Sequence, residues 1–410
     1  QSLERPYLLY LALLLHDTGK AFGKGKHAAA GSKLAERVAQ RLGLDTEAAQ
    51  ALQRLIEQHL LMAVVSQRRD LEDPAVIRKF AGQVGTLATL NRLTLLTFVD
   101  AQATSDKLWN GFKDALLRSL YEKATPVLSG GTEFVRAAER RRGALLIETR
   151  QHLPAHVSGE ELRVHFAALP PRYFQIRGAR EIAQDLDQVH RFVRLQVLEE
   201  ERALEPVVGW RDDADRGYTA VKVCTWDREG LFSRIAGSLS AAGLNILSAQ
   251  VFTRADNIAM DTFYVTDAKT GVLASAAQQA KFEELLTKGL TGGEVDFRAL
   301  ITRQKISRPL YQSYEGEHLP TQVHFDNEAS ENRTLIEVET EDRIGLLYVI
   351  SETLAGLRLD ISAAKICTER GAAIDSFYVS EVAGGKVLDP ERLKHIERRL
   401  RHAIQSLGRV

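Results

Sequence analysis

The chain has 410 residues, too many for one ordinary core, so two to four domains are expected. Hydrophobic residues make up 44% and charged residues 26%, the balance of a globular chain rather than a disordered or fibrous one. With 54 basic and 54 acidic side chains, no excess charge points to nucleic acid or to an anionic membrane. Only two cysteines occur, Cys224 and Cys367, far apart and each in a strand-like segment. That speaks against disulfides and for a reducing, cytoplasmic setting. The longest apolar run, YLLYLALLL at 7–15, falls far short of the ~20 residues a membrane span needs, and no signal peptide is visible. The first residue is Gln1, so a longer parent chain is expected.

In chain order, residues 3–125 read as helix after helix. Ala, Leu, Gln, Glu and Arg dominate, and apolar residues recur at three- and four-residue steps in LAERVAQRLGL and ALQRLIEQHLLM. Asp73-Pro74 marks a helix start, with the aspartate as N-cap and the proline in the first turn. A basic helix, FVRAAERRRGALLIETR, leads through a proline-rich loop at LPPRYF (169–174) to another charged helix ending near Glu205. The stretch 129–216 therefore reads as a helical connector with some packing of its own.

After Tyr218 a repeat emerges. TWDREGLFSRIAGSLSAAGLNILSAQVFTRADNIAMDTFYVTD aligns with TEDRIGLLYVISETLAGLRLDISAAKICTERGAAIDSFYVSE. Asp227 matches Asp342, Gly230-Leu231 matches Gly345-Leu346, Asn245 matches Asp360, and DTFYV matches DSFYV. Each copy predicts strand, helix, hairpin and helix, the pattern of a small ferredoxin-like βαββαβ unit. The second copy stops after its second helix, so its last strand is either missing or supplied from elsewhere. The expected fold class is multidomain α and α+β. An all-helical domain covers 1–128 and the connector 129–216; α+β units cover 217–305 and 332–410, with a linker over 306–331.

Five side chains of the helical region are possible metal ligands: His16, Asp17, His27, His59 and Asp100. Histidine nitrogens with carboxylate oxygens suit divalent ions such as Mn²⁺, Mg²⁺, Zn²⁺ or Fe²⁺. Adjacent His16 and Asp17, at the end of a leucine-rich helix, can reach one ion together. Asp100 ends the apolar stretch LTFVDAQAT, where an unpaired buried carboxylate is costly unless a cation or strong donors meet it. Each residue alone reads more readily as a capped or hydrogen-bonded structural group. Five in one helical domain point to a metal.

HD-x-G-K followed by H, H and D resembles the HD-domain metal-dependent phosphohydrolases. The resemblance implies hydrolysis of phosphate esters or phosphodiesters, with a divalent metal, Mn or Mg foremost, at His16, Asp17, His27, His59 and Asp100. Lys20, in the HDTGK turn, would pair with a substrate phosphate oxygen, or stand as a solvated loop lysine. That family also takes a histidine from a helix ahead of the HD pair. Residues 1–15 contain none, so it is expected upstream of Gln1, or else the site is incomplete.

The repeat, with Asp-x-x-Gly-Leu between its first strand and first helix, resembles the ACT domains. This implies a small metabolite, often an amino acid, held between two copies. Glycine lets the main chain approach a ligand, and the helix N-terminus offers N–H groups to a carboxylate. The candidate effector residues are Asp227, Gly230, Leu231 and Asn245 in one copy, and Asp342, Gly345, Leu346 and Asp360 in the other. Asp227 and Asp342 read equally well as N-caps of the following helices.

HLLMAVVSQRRDLEDPAVI, VDAQATSDKLWN, LPPRYF and PTQVHFDNEAS resemble segments from the C-terminal part of the bacterial PII uridylyltransferase/uridylyl-removing family. The resemblance implies removal of UMP from a uridylylated tyrosine of PII, glutamine as the effector of the ACT pair, and a nucleotidyltransferase domain lying upstream. Neither Asp185-Leu186-Asp187 nor Asp213-Ala214-Asp215 has the Gly-Ser lead-in of such a transferase site. Two rivals stand beside this reading: an HD hydrolase of free nucleotides under ACT control, and a catalytically inactive ACT sensor.

Overall fold

Leucine and alanine at helical spacing build the first unit of the chain, Gln1–Thr132. Its helices are α1 (Tyr7–Leu15), α2 (His27–Arg41), α3 (Thr46–Glu57), α4 (Leu61–Arg68), α5 (Pro74–Val84), α6 (Leu87–Thr104) and α7 (Gly111–Leu128). Their apolar stripes meet in one core that includes Leu8, Ala12, Leu52, Leu55, Ile56, Met62, Phe80, Leu93, Leu96 and Leu120. Each such leucine, isoleucine or phenylalanine contributes about 1.5–3 kcal/mol by leaving water. The Asp-Pro start works as its chemistry predicts: the Ala75 amide donates to Asp73 Oδ1 at 2.9 Å, and Pro74 opens α5. The computed structural model describes all residues except 1–2, 23–26, 72, 105–110, 130–133, 199–201, 203, 304–319, 344, 370–371 and 408–410.

The second unit, Glu133–Val410, begins with α8 (Phe134–Gln151), α9 (Gly159–Ala168), α10 (Pro171–Ile176) and α11 (Ala179–Leu198). The first repeat copy follows as β1 (Val207–Asp213), β2 (Tyr218–Trp226), α12 (Leu231–Ala241), β3 (Leu244–Gln250), β4 (Ile258–Asp267) and α13 (Ala276–Leu290). A short helix, α14 (Phe297–Arg303), comes next. The second copy is β5 (Gln322–Asp326), β6 (Thr334–Glu341), α15 (Leu346–Gly356), β7 (Leu359–Lys365), β8 (Thr368–Glu369), β9 (Ala372–Glu381) and α16 (Pro390–Ser406).

These strands form one antiparallel sheet in the order β1-β2-β4-β3-β7-β9-β6-β5, with β8 off β9. The two copies join where β3 pairs with β7, Ala249 opposite Ala364 and Gln250 opposite Ala363. On one face α12 and α15 lie side by side, burying Ile235, Leu239, Ile350 and Leu354 against Phe263 and Phe377.

Two boundaries shift from the sequence reading. β1 lies inside the stretch read as connector, 129–216, and β5 inside the linker, 306–331. Much of that linker lies outside the described residues. β1 pairs with β2 and β5 with β6, so each copy receives its outer strand from upstream. This accounts for the strand that the second copy lacks after its last helix. An uncovered β2 or β6 edge would leave a row of main-chain groups unpaired, and either direction of approach satisfies them.

The connector is also less separate than its sequence suggests. Tyr173, Ile182, Leu186 and Phe192 share a core with Cys224, Ile258 and Met260, so α9–α11 cover the outer face of the first copy. A buried polar network ties the layers. Arg254 Nη1 donates to His165 Nδ1 at 2.7 Å, and Tyr173 Oη donates to Asp185 Oδ2 at 2.7 Å. Lys222 pairs with the other oxygen of Asp185, and Arg177 Nη2 donates to Thr262 Oγ1 at 2.8 Å. Burial first, and then Arg254, pushes the His165 pKa down to about 3, so the ring is neutral. Among the described residues, no helix is long and apolar enough to cross a membrane.

Candidate functional site

His16 and His59 are placed by the same local rule. Each follows the last turn of a helix, where carbonyl groups lack intrahelical donors. His16 Nδ1 meets the Leu13 carbonyl at 2.9 Å, three residues back, after α1. His59 Nδ1 meets the Ile56 carbonyl at 2.7 Å, also three residues back, after α3. Both rings are thereby locked with Nε2 pointing away from their own helix, the arrangement that orients metal-binding histidines. Asp100 comes from α6, where it continues the buried stripe of Leu93 and Leu96 at helical spacing.

The four side chains converge. His16 Nε2 lies 3.2 Å from Asp100 Oδ1 and 3.5 Å from Asp17 Oδ2, and His59 Nε2 lies 3.9 Å from Asp17 Oδ1. The two rings meet edge to face with centroids 5.3 Å apart. Lys20 Nζ pairs with Asp17 Oδ2 and is half exposed. The hydrogen bond to Asp100 raises the His16 pKa against the opposing effect of burial, and the same bond holds Asp100 below the usual carboxylate range. Gly31 of α2 makes room for this turn: a Cβ there would stand 3.1 Å from Ile56 and 3.6 Å from the His16 carbonyl. His27 opens α2, and its side chain lies outside the described residues.

Among the described residues, no group of three or more His, Cys, Asp or Glu is already disposed as a metal cage. The donor chemistry still fits a divalent ion. Two ligand atoms bound to one ion at ~2.1 Å stand roughly 3.0–3.4 Å from each other, for octahedral to tetrahedral angles. The His16–Asp100 and His16–Asp17 separations are close to that spacing. Loss of the His16 Nε2 proton would leave its lone pair facing both acids.

The second candidate site lies between the repeat copies. A cleft of about 860 Å³ is bordered by Asp227, Gly230 and Asp261 of the first copy and by Arg333, Asp360 and Glu381 of the second. Gly230 has φ 73°, a left-handed conformation that favours glycine. The N-cap residues of α12 and α15 are Gly230 and Gly345, so the N-cap position itself is held by neither Asp227 nor Asp342. Asp227 Oδ2 instead accepts from Thr253 Oγ1 at 2.7 Å.

The matching residues of the two copies part company here. Both are exposed, but Asp360 borders the cleft and lies 3.8 Å from Arg333, whereas Asn245, near the start of β3, does not border it. Gly345 also has a positive φ, 80°, but a Cβ there would stand 2.9 Å from Ile301 Cγ2 of α14. The Gly230 turn borders the cleft, whereas Ile301 of α14 stands against the Gly345 turn. Leu231 and Leu346 are buried and anchor their helices, and Leu231 also borders the cleft.

Comparison with known proteins supports both halves. Residues 3–86 match the HD domain model, and residues 322–410 match a model described as an ACR9-like, ACT-like domain. The second match begins at Gln322, the first residue of β5. The bifunctional uridylyltransferase/uridylyl-removing enzyme of Azospirillum brasilense is 37% identical over 397 residues, covering 97% of this chain and 41% of that enzyme. The enzymes of the same name from Ruegeria pomeroyi and a Bradyrhizobium species are 34% and 31% identical, over 97% and 98% of this chain and 42% of each. The chain belongs to this HD–ACT family. It spans about two fifths of the length of these relatives. No solved structure matches.

The HD match spans His16, Asp17, His27 and His59, while Asp100 lies beyond it and meets His16 through the fold. Residue-by-residue reading missed Gly31, whose signal is faint: a glycine within an alanine-rich helix. It also passed over Asp261 and Asp375, the acids that open DTFYV and DSFYV. Their signal was visible, since each sits alone in a run of strand residues buried on both faces.

Proposed function

We propose that the chain hydrolyses the phosphodiester joining UMP to a tyrosine of uridylylated PII, in the cytoplasm, under the control of glutamine bound in the ACT cleft. The observation that carries this reading is the convergence of His16, Asp17, His59 and Asp100 in an HD domain whose relatives are named uridylyl-removing enzymes.

A bound Mn²⁺ or Mg²⁺ would supply water acidified toward hydroxide and a positive charge against the phosphoryl oxygens. The chain supplies the rest. Leu13 and Ile56 carbonyls hold the two imidazoles in one tautomer, so that His16 and His59 offer Nε2. Asp17 and Asp100 offer anionic oxygens, and His27 is a further donor at the start of α2. Lys20, at the solvent edge of the cluster, exchanges Asp17 for a substrate phosphate oxygen. In the cleft, the uncapped start of α12 receives the carboxylate of glutamine and Asp227 its ammonium group. Differential binding to two arrangements of the protein, worth about 1–3 kcal/mol, would change hydrolysis roughly 5- to 150-fold.

The test is release of UMP from uridylylated PII, set against a panel of free nucleotides, with Mn²⁺ present. PII-linked UMP is the expected substrate, and Asp17→Ala should lower turnover about 100-fold and release the bound metal while helicity stays. Nucleotide hydrolysis without action on PII would transfer the reading to the free-nucleotide class. Normal turnover and metal content in Asp17→Ala would remove the site.

A further inference from the structure

The floor of the ACT cleft carries a group that the amino-acid site as described leaves without a role. Asp261 stands on β4 opposite Val223, on the sheet face that Phe263 and Val265 turn toward the core beneath α12. It is only 2% exposed, yet it borders the cleft, and its Oδ1 has no hydrogen-bond partner. Burial first, and then the charges of Asp227 and Asp360, hold its carboxyl well above the usual carboxylate range, while the Phe252 amide acts the other way. A buried oxygen without a partner is a cost to folding that a valine at this strand position would avoid. The second copy repeats the arrangement: Asp375 is 2% exposed and its Oδ1 lacks a partner. Duplication of a costly group at the same strand position speaks for a use other than stability.

We propose that Asp261 reads the side chain of the bound amino acid, pairing with a primary carboxamide and rejecting a carboxylate. The proposal rests on the reading of this cleft as an amino-acid site. A ligand carboxylate at the floor would meet acids on three sides, Asp227 and Asp261 from one copy and Asp360 from the other. The nearby cations already have partners, Arg333 also lying 3.8 Å from Asp360, or are exposed. Arg228 Nη1 donates to the Leu290 carbonyl at 2.8 Å, Arg333 Nη1 donates to Ser380 Oγ at 3.2 Å, and Arg358 is exposed. A protonated carboxyl presents one donor beside one acceptor, and a primary carboxamide does the same, so the two pair through two hydrogen bonds. A carboxylate has no donor to return.

Calorimetry on the full chain with glutamine and glutamate tests this, using the wild type, Asp261→Asn and Asp261→Val. Valine has nearly the shape of aspartate and suits a buried strand, and asparagine keeps a donor beside an acceptor. The wild type and Asp261→Asn should prefer glutamine, and Asp261→Val should lose about tenfold or more of that preference, as removal of a buried hydrogen-bonding pair predicts. The ratio of the two affinities is the readout, because a merely structural role would weaken both ligands together. An unchanged ratio in Asp261→Val overturns the role of Asp261 while leaving the amino-acid site intact. A wild type that binds neither ligand at millimolar concentration removes the amino-acid site, and this proposal with it.

Discussion

The two ACT copies carry almost the same turn, in nearly the same backbone conformation, with different surroundings. Gly230 and Gly345 have φ of 73° and 80°, and each is followed by a buried leucine that starts a helix. At Gly230 a Cβ would meet only Ser233 Oγ, at 3.5 Å, and the turn borders the cleft. At Gly345 it would meet Ile301 Cγ2 at 2.9 Å. Ile301 belongs to α14, outside the repeat, which also buries Phe297 against Tyr348. Duplication made two equivalent turns. The segment between the copies made them unequal.

Valine at the two glycines tests this contrast most strongly. Both substitutions strain a left-handed position, so a loss common to both reports strain alone. Gly230→Val should in addition cost about 10- to 100-fold in glutamine affinity, the worth of charge-assisted hydrogen bonds that the ligand can no longer reach. Gly345→Val should keep affinity within roughly threefold in the folded fraction. Equal losses, measured by calorimetry at matched folded fraction, would mean that the turns are functionally alike.

Acid should separate the copies by a somewhat smaller amount. His165 helps to hold α9 against the first copy, and its pKa falls from an unfolded value near ~6.5 to about 3. A lowered folded pKa means that the unfolded chain binds the proton first, so stability is full above pH ~6.5 and is lost as pH falls toward 3. Between pH 7 and pH 5 the loss amounts to roughly 2 kcal/mol for this group. Trp226, which packs on Phe192 and donates to Gln196 Oε1 at 3.0 Å, reports that layer by fluorescence. His165→Gln should flatten the slope of stability against pH by about one proton in this window. An unaltered slope would show that His165 is not the titrating group.

The smallest effect is a pair of alanine substitutions. Gly230→Ala meets ordinary contact and costs only its backbone conformation, about 1–2 kcal/mol. Gly345→Ala adds overpacking against Ile301, a further ~1 kcal/mol or more. In an Ile301→Ala background that extra cost should vanish, which urea unfolding of the four combinations would reveal as a coupling. Additive costs would show that α14 does not press on the turn.

Legibility followed distance along the chain. The Asp73-Pro74 cap, the helix ending at Leu15 before His16, and the matching strands of the repeat are all local patterns, and local patterns persist in the fold. Asp100 was legible as an acid out of place in an apolar stripe. Its meeting with His16, 84 residues earlier in the chain, is a product of packing between α1 and α6. The outer strands were not legible. β1 ends in WRDD and β5 spans only five residues, so neither shows the clean alternation that marks β2 or β6.

Legible along the chain were the helical HD part, the doubled ACT motif, the glycines that allow left-handed turns, and the histidine and aspartate types of the candidate site. Each of these depends on side-chain chemistry and on contacts within a few residues. Long-range packing set which copies of those motifs come together. It drew each outer strand from upstream, laid α9–α11 on the first copy, set Asp360 on the cleft that Asp227 borders while Asn245 stayed off it, and packed Ile301 against Gly345. The physical reason is that burial and exclusion are properties of a whole packed core. Two turns with nearly one sequence have the same backbone freedom, but whether an open cleft or an isoleucine lies beside each depends on chain far away.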